Sequence, residues 1–347
     1  MSISSYWFII PGITLVALAA GYFLGPTIER PRYADELPDV PEEPEALDEY
    51  VRAREAEADL RPNNEARIHW AGDKRQPTEF AFVYLHGFGA SYRDAFPVNV
   101  NLGDIFGANV FLARWGGHGL RAESALREFT PEGAWWDARE ALAIGRRIGK
   151  NVIVMSTSTG GTLAFKLAAD FPDAVHALIN IGPNVEDDQP GASWLMSPWG
   201  HELAHLTSLG QRRKIKHEEP EAPQYFDTLY PAEALVRLEV LVQTTMQDET
   251  FERVACPVAT VFYKENFFKK DDHVEVSRYP EVHALLATPE DRKQLLPLPT
   301  PKTHFVASDI KSRDWPAAQR AIVGFCQDVL GMSPLQPVDY LSDAPGF

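Results

Sequence analysis

Ser158 lies in VIVMSTSTGG, where an apolar run gives way to small polar residues and then to a helix-forming stretch. A nucleophilic serine at a strand-to-helix junction needs small neighbours two places on either side, because the turn presenting it is sharp. Gly160 meets that need, and Ser156 stands where glycine is usual. A serine-rich turn that only caps a helix is the plain alternative. Downstream, KKDDHVEV supplies Asp271 and Asp272, and PTPKTHFVAS supplies His304. A serine, an acid and a histidine in that order have the makings of acyl transfer. Histidine takes the serine proton, and the acid fixes the imidazole tautomer and steadies the imidazolium.

A second constellation competes. His201, Glu202 and His205 spell H-E-x-x-H. On a helix the two histidines would share a face and hold zinc, with the glutamate as base, as in zinc metalloproteases. The extended form fails, because Ser208 and Gln211 stand where a glycine and a third histidine belong. The plain alternative is an amphipathic helix with polar histidines outside. Cys256 and Cys326 lie far apart without motif spacing, so they make neither a disulfide framework nor a metal site. Neither a metal nor an organic cofactor is expected.

The elements that must position these residues follow from the hydrophobic pattern. FAFVYL (80–85), Asn109 to Leu112, NVIVM (151–155), ALINI (177–181), VATVFY (258–263) and Leu295 to Leu298 read as short buried strands, and residues 66–70 as a first strand. Helices are expected between them. One is punctuated by Thr130 as cap, Pro131 in the first turn, and Arg146 and Arg147 at its end. Alternating strands and helices predict a mostly parallel sheet covered on both faces. The alternation stops over about 183–252, which reads as an inserted helical cap.

With these pieces in place the chain resembles the α/β-hydrolase superfamily, in particular its bacterial serine-hydrolase and monoglyceride-lipase-like branches. The resemblance rests on LHGFGAS, RWGGHGL, STSTGGTLA, KDDHVEV and THFVAS and covers about residues 66–330. It implies an α/β-hydrolase fold with Ser158, Asp271 and His304 as catalytic triad. The usual D-x-x-V form favours Asp271, with Asp272 as rival. The backbone N–H groups of Phe88 and Thr159 would form the oxyanion hole. The implied reaction is hydrolysis of a carboxylic ester, lipid-like in one version, with Trp194, Trp199, Tyr225 and Phe226 of the cap lining an acyl pocket. A hydrolase-like fold used only for binding is the non-enzymatic alternative.

The remaining expectations concern the chain's surroundings. A net charge of −16 repels phosphate backbones and argues against nucleic acid as a partner. Residues 1–28 carry no charged side chain and read as a single-pass membrane anchor with its apolar heart from Tyr6 to Leu24, the rival reading being a cleaved signal peptide, for which the positive n-region is missing. Arg30 and Arg32 after that span would put the following domain on the cytoplasmic side. Residues 29–65 hold 13 Asp and Glu against 5 Arg, with five prolines, and read as an acidic extended spacer. The hydrolase domain is then expected over 66–347.

Overall fold

A computed structural model describes residues 6–27, 29–56, 58–121, 123–186, 197–208 and 210–336. In chain order its elements are α1 (Tyr6–Phe23), α2 (Pro44–Ala56), β1 (Arg67–His69), β2 (Thr78–Leu85), α3 (Val98–Phe106), β3 (Asn109–Leu112), α4 (Pro131–Ile148), β4 (Gly149–Thr157), α5 (Thr159–Asp170) and β5 (Ala177–Ile181). An insertion follows, with α6 (Gly200–Ser208), β6 (Arg212–Lys214), α7 (Ala222–Tyr225), β7 (Leu229–Pro231), α8 (Glu233–Thr245) and α9 (Asp248–Glu252). The chain then returns through β8 (Val258–Tyr263), α10 (Tyr279–Leu285), β9 (Lys293–Leu298) and α11 (Trp315–Asp328).

Seven strands form one sheet in the order β1-β3-β2-β4-β5-β8-β9. Only β1 runs antiparallel to its neighbour. Both faces of the sheet are buried. Along β2, Ala81, Val83 and Leu85 enter one core with α4, α5 and α8, while Phe82 and Tyr84 enter the other with α3 and α11. A strand covered on both sides has no reason to alternate apolar with polar residues, which is why these strands read as continuous apolar runs. The expected punctuation of α4 is present: the Thr130 hydroxyl accepts from Gly133 N–H at 3.0 Å.

Three expectations need correction. The insertion is not only helical, since β6 and β7 pair as an antiparallel ribbon. Its later part is not purely a cap, because Ala234, Leu238, Leu241 and Val242 of α8 join the main core. The acidic stretch 29–65 is not an extended spacer throughout. In α2, Leu47, Val51 and Glu55 recur every four residues and are buried, an amphipathic stripe that docks against the domain. Glu55 pairs with Arg114 at 2.5 Å, and both side chains are almost wholly buried. Ahead of α2, Trp135 Nε1–H donates to Ala34 O at 2.7 Å, and the Tyr33 and Thr244 hydroxyls lie 2.7 Å apart.

The membrane expectation is overturned. Among the described residues no helix is long and apolar enough to cross a membrane. The end of helix α1 is tied to the insertion, where Trp199 Nε1–H donates to Gly21 O at 2.9 Å. The single-pass anchor, the membrane as partner and the cytoplasmic orientation drawn from it fall together.

Candidate active site

The residues singled out for chemistry collect at the C-terminal edge of the parallel strands. Ser158 follows β4, the 86–89 turn follows β2, Asp271 follows β8 and His304 follows β9. In open α/β sheets this edge is where ligand sites form.

Ser158 has φ 54° and ψ −118°, a conformation rare for a residue with a side chain. Backbone bonds hold it there. Its N–H donates to Ile181 O at 3.0 Å, and its carbonyl accepts from Asn184 N–H at 2.9 Å and from Gly161 N–H at 2.8 Å. Gly160 is required, because a Cβ there would lie 2.0 Å from Leu85 O. At Ser156, where glycine is usual, the buried hydroxyl donates to Asn180 Oδ1 at 2.7 Å, so its polar atom is satisfied. Thr159 opens α5, so its N–H is one of the helix's unpaired first donors. The Ser158 side chain is only partly buried.

His304 and Asp271 are buried together, with Nδ1 and Oδ2 at 2.6 Å. The other Asp271 oxygen accepts from His273 N–H at 2.9 Å. Asp272 points elsewhere: its carboxylate is exposed and bonds the His273 ring at 2.8 Å. Burial alone would lower the His304 pKa, but the Asp271 carboxylate outweighs it and the pKa is raised. Burial likewise pushes Asp271 up, and the His304 charge and hydrogen bond overcome that to leave it lowered. His304 Nε2 has no hydrogen-bond partner among the described residues.

Around the 86–89 turn the environment is aromatic. The Phe88 ring meets His118, Phe129 and Tyr230 edge-on at 5.2 to 5.7 Å. His86 Nε2 accepts from Trp115 N–H at 3.4 Å, so Nδ1 carries the proton and donates to Gly87 O at 2.8 Å. Burial holds His86 well below its usual pKa and His118 at about 3, so both rings are neutral.

The cap residues divide. Phe226 is buried against Phe305, the neighbour of His304, at 5.1 Å. Tyr225 lies against Tyr92 and under Arg93. Trp199 is held at the end of α1, where its indole N–H donates to Gly21 O. Trp194 lies outside the described residues. Helix α6 carries His201, Glu202 and His205. Among the described residues no group of three metal-ligating side chains includes Glu202 or His205, and the His201 side chain is outside those described.

Two groups at the site escaped the sequence reading. His273 stacks on His304 with centroids 4.9 Å apart and planes 7° apart. Asp94, fully buried, accepts from Gly87 N–H at 2.7 Å. Nothing in the sequence marked Asp94 as buried, since aspartate is ordinarily exposed.

Neither a family model nor a curated protein matches the sequence. Solved structures do match. A metagenome-derived lipolytic enzyme (one of LipS and LipT) superposes with a TM-score of 0.60 at 16% identity, over 77% of this chain and 99% of its own. A soluble variant of monoglyceride lipase from Saccharomyces cerevisiae gives 0.55 at 12% identity, over 74% and 89%. The monoacylglycerol lipase of Paleococcus ferrophilus gives 0.51 at 14% identity, over 75% and 98%. Identities this low establish shared architecture and leave chemistry to be argued from the site: by its sheet order, its strand-end loops and these superpositions, the chain has the fold of the α/β-hydrolase superfamily.

Proposed function

We propose that the protein is a serine hydrolase that cleaves a carboxylic ester through an acyl-enzyme. The observation that carries this reading is the buried His304–Asp271 pair, 2.6 Å apart. It lies at the same sheet edge as Ser158, which is held in a strained turn. Strain of this kind persists only where surrounding bonds enforce it, and it clusters at functional sites.

In the proposed reaction Ser158 Oγ attacks the ester carbonyl carbon while His304 Nε2 takes its proton. The Phe88 and Thr159 N–H groups receive the developing oxyanion. Collapse breaks the bond to the alcohol, which leaves with the proton from His304. Water then attacks the acyl-serine, its proton passing to His304 and on to Ser158. Asp271 keeps Nδ1–H in place throughout. Rotation of the Ser158 side chain brings Oγ to Nε2, since this bond is commonly long before substrate binds. Phe88, Phe129 and Tyr230 pack edge-on beside the 86–89 turn and Phe226 packs against Phe305, so the surroundings of the site are apolar, as an acyl chain requires. The lipolytic neighbours support the ester as substrate class at the level of fold.

A fluorophosphonate probe tests this directly. Wild type and an EDTA-treated sample should label, and Ser158→Ala should not. An unlabelled but folded wild type would sink the reading, as would equal labelling of Ser158→Ala. Hydrolysis of monoacylglycerol beside a short soluble ester then tests the lipid-like version.

A further inference from the structure

Asp94 stands behind the site rather than in it. Its side chain is fully buried in the segment that follows the 86–89 turn. One oxygen, Oδ2, accepts from Gly87 N–H at 2.7 Å. The other accepts from the Tyr84 hydroxyl, which lies 2.8 Å from Thr157 Oγ1. Thr157 immediately precedes Ser158. The carboxylate is therefore bonded into both backbone turns that would supply oxyanion donors, the Gly87–Phe88 turn directly and the Thr157–Thr159 turn through Tyr84. Gly87 sits in the gap between them: a Cβ there would meet Ser158 Cβ at 3.1 Å and Asp94 Oδ2 at 3.2 Å.

We propose that Asp94 is a positioning residue for hydrolysis: it clamps the Gly87–Phe88 turn so that the Phe88 N–H stays aimed at the oxyanion. The inference rests on the serine-hydrolase reading above.

The electrostatics agree with this placement. Burial pushes the Asp94 carboxyl up to about 7, against the pull of Tyr84, Gly87 N–H and His304. Asp94 in turn helps to raise His304, after burial, which lowers it, and Asp271, which raises it. The other titratable groups that bear on the imidazole are Asp272 and His273. An imidazolium forms each time Ser158 gives up its proton, and a second carboxylate nearby favours that state. An asparagine would fill the same volume but offers a single acceptor oxygen, so it cannot accept from both Gly87 N–H and the Tyr84 hydroxyl, and the turn held between them loosens.

The test uses the full chain as wild type, Asp94→Asn, Tyr84→Phe and Ser158→Ala. Folding is followed by circular dichroism, probe labelling by rate, and p-nitrophenyl butyrate hydrolysis from about pH 5 to about pH 9. Asp94→Asn is expected to fold and to lose kcat by ~10–100-fold, with KM within about threefold, because a displaced donor acts mainly in the transition state. The acid limb of kcat/KM should move to lower pH, because His304 loses a neighbouring acid. A merely structural role would not move that limb, so an unmoved limb or an unchanged kcat overturns the inference. Should Asp94→Asn not fold, Tyr84→Phe decides: it removes the Oδ1 donor and must lower kcat by roughly threefold or more, and an unchanged kcat overturns the inference. If wild type labels and these variants match it, this inference alone fails. If wild type does not label at all, the serine-hydrolase reading fails and takes this one with it.

Discussion

The candidate catalytic edge and the acidic segment 29–65 both bury ion pairs, yet they do so in different ways. At the edge, each group comes from a separate loop after a separate strand, and His304 meets Asp271 only because β8 and β9 are neighbours in the sheet. In the acidic segment, a single helix carries several of the groups. Glu55 of α2 pairs with Arg114, while Arg54 reaches Asp137 and Glu140 of α4. Just beyond, Arg61 bonds Asp227 Oδ1 at 2.7 Å and the Phe226 carbonyl at 3.0 Å, joining this segment to the insertion. The first arrangement keeps one nitrogen, His304 Nε2, unbonded among the described residues. In the second, charges are spent on holding the pieces together. The comparison predicts which residues matter for turnover and which for stability.

The largest expected effect is at Ser158. Its replacement by Ala should remove turnover by ~10⁴–10⁶-fold in steady-state ester hydrolysis while leaving the melting temperature near wild type. A variant that keeps even a tenth of wild-type turnover would break the contrast.

Asp271→Asn comes next, at about 10⁴-fold in kcat, because the amide favours the wrong imidazole tautomer. Asp272→Asn should stay within about twofold, since a solvated loop carboxylate contributes little. The two variants assayed side by side sharpen the geometry: comparable losses would mean that Asp272 also acts on His304.

The acidic segment should respond in the opposite sense. Arg114→Met strands the Glu55 carboxylate and is expected to cost ~3–5 kcal/mol, read by denaturant unfolding. Adding Glu55→Leu should recover part of that loss, because the pair then becomes apolar. Unchanged stability in Arg114→Met would show that α2 is loosely held after all.

The smallest effects are pH-dependent. His304 must be neutral to act as base and its pKa is raised, so the acid limb of kcat/KM should lie above the ordinary histidine value of about 6.5. A limb centred below that value would contradict the buried pair. Asp94 gives a stability signature of the opposite sign from Asp271. Its folded pKa, about 7, lies above the unfolded value near 3.9, so its contribution is complete below about pH 4 and is lost as pH rises through 7. Asp94→Asn should therefore melt a few °C higher than wild type above about pH 8, a gain that shrinks toward pH 4. No pH dependence in that difference would mean the carboxylate is not desolvated.

Much of the fold was legible for a plain reason. Parallel strands buried on both faces must be continuous apolar runs, and FAFVYL, NVIVM, ALINI and VATVFY announced themselves. Small residues around Ser158 signalled a sharp turn for the same steric cause that the Leu85 carbonyl enforces at Gly160. The acidic segment was misread because composition outweighed spacing. Leu47, Val51 and Glu55 carry a helical period, but thirteen carboxylates read as solvated until their arginine partners are located. Residues 6–24 were read as a span from their lack of charge, and among the described residues no helix is long and apolar enough to cross a membrane.

By itself, the sequence determined which elements form and which loops carry Ser158, Asp271 and His304, because those depend on local pattern and on steric demands within a few residues. Only the tertiary structure decided that Asp271 rather than Asp272 faces His304, that Asp94 lies buried beneath the Gly87 turn, and that Glu55 meets Arg114. Each is a meeting of charged groups from different segments. Such meetings are set by strand order and by burial, and burial is what turns an ordinary carboxylate into one with consequences.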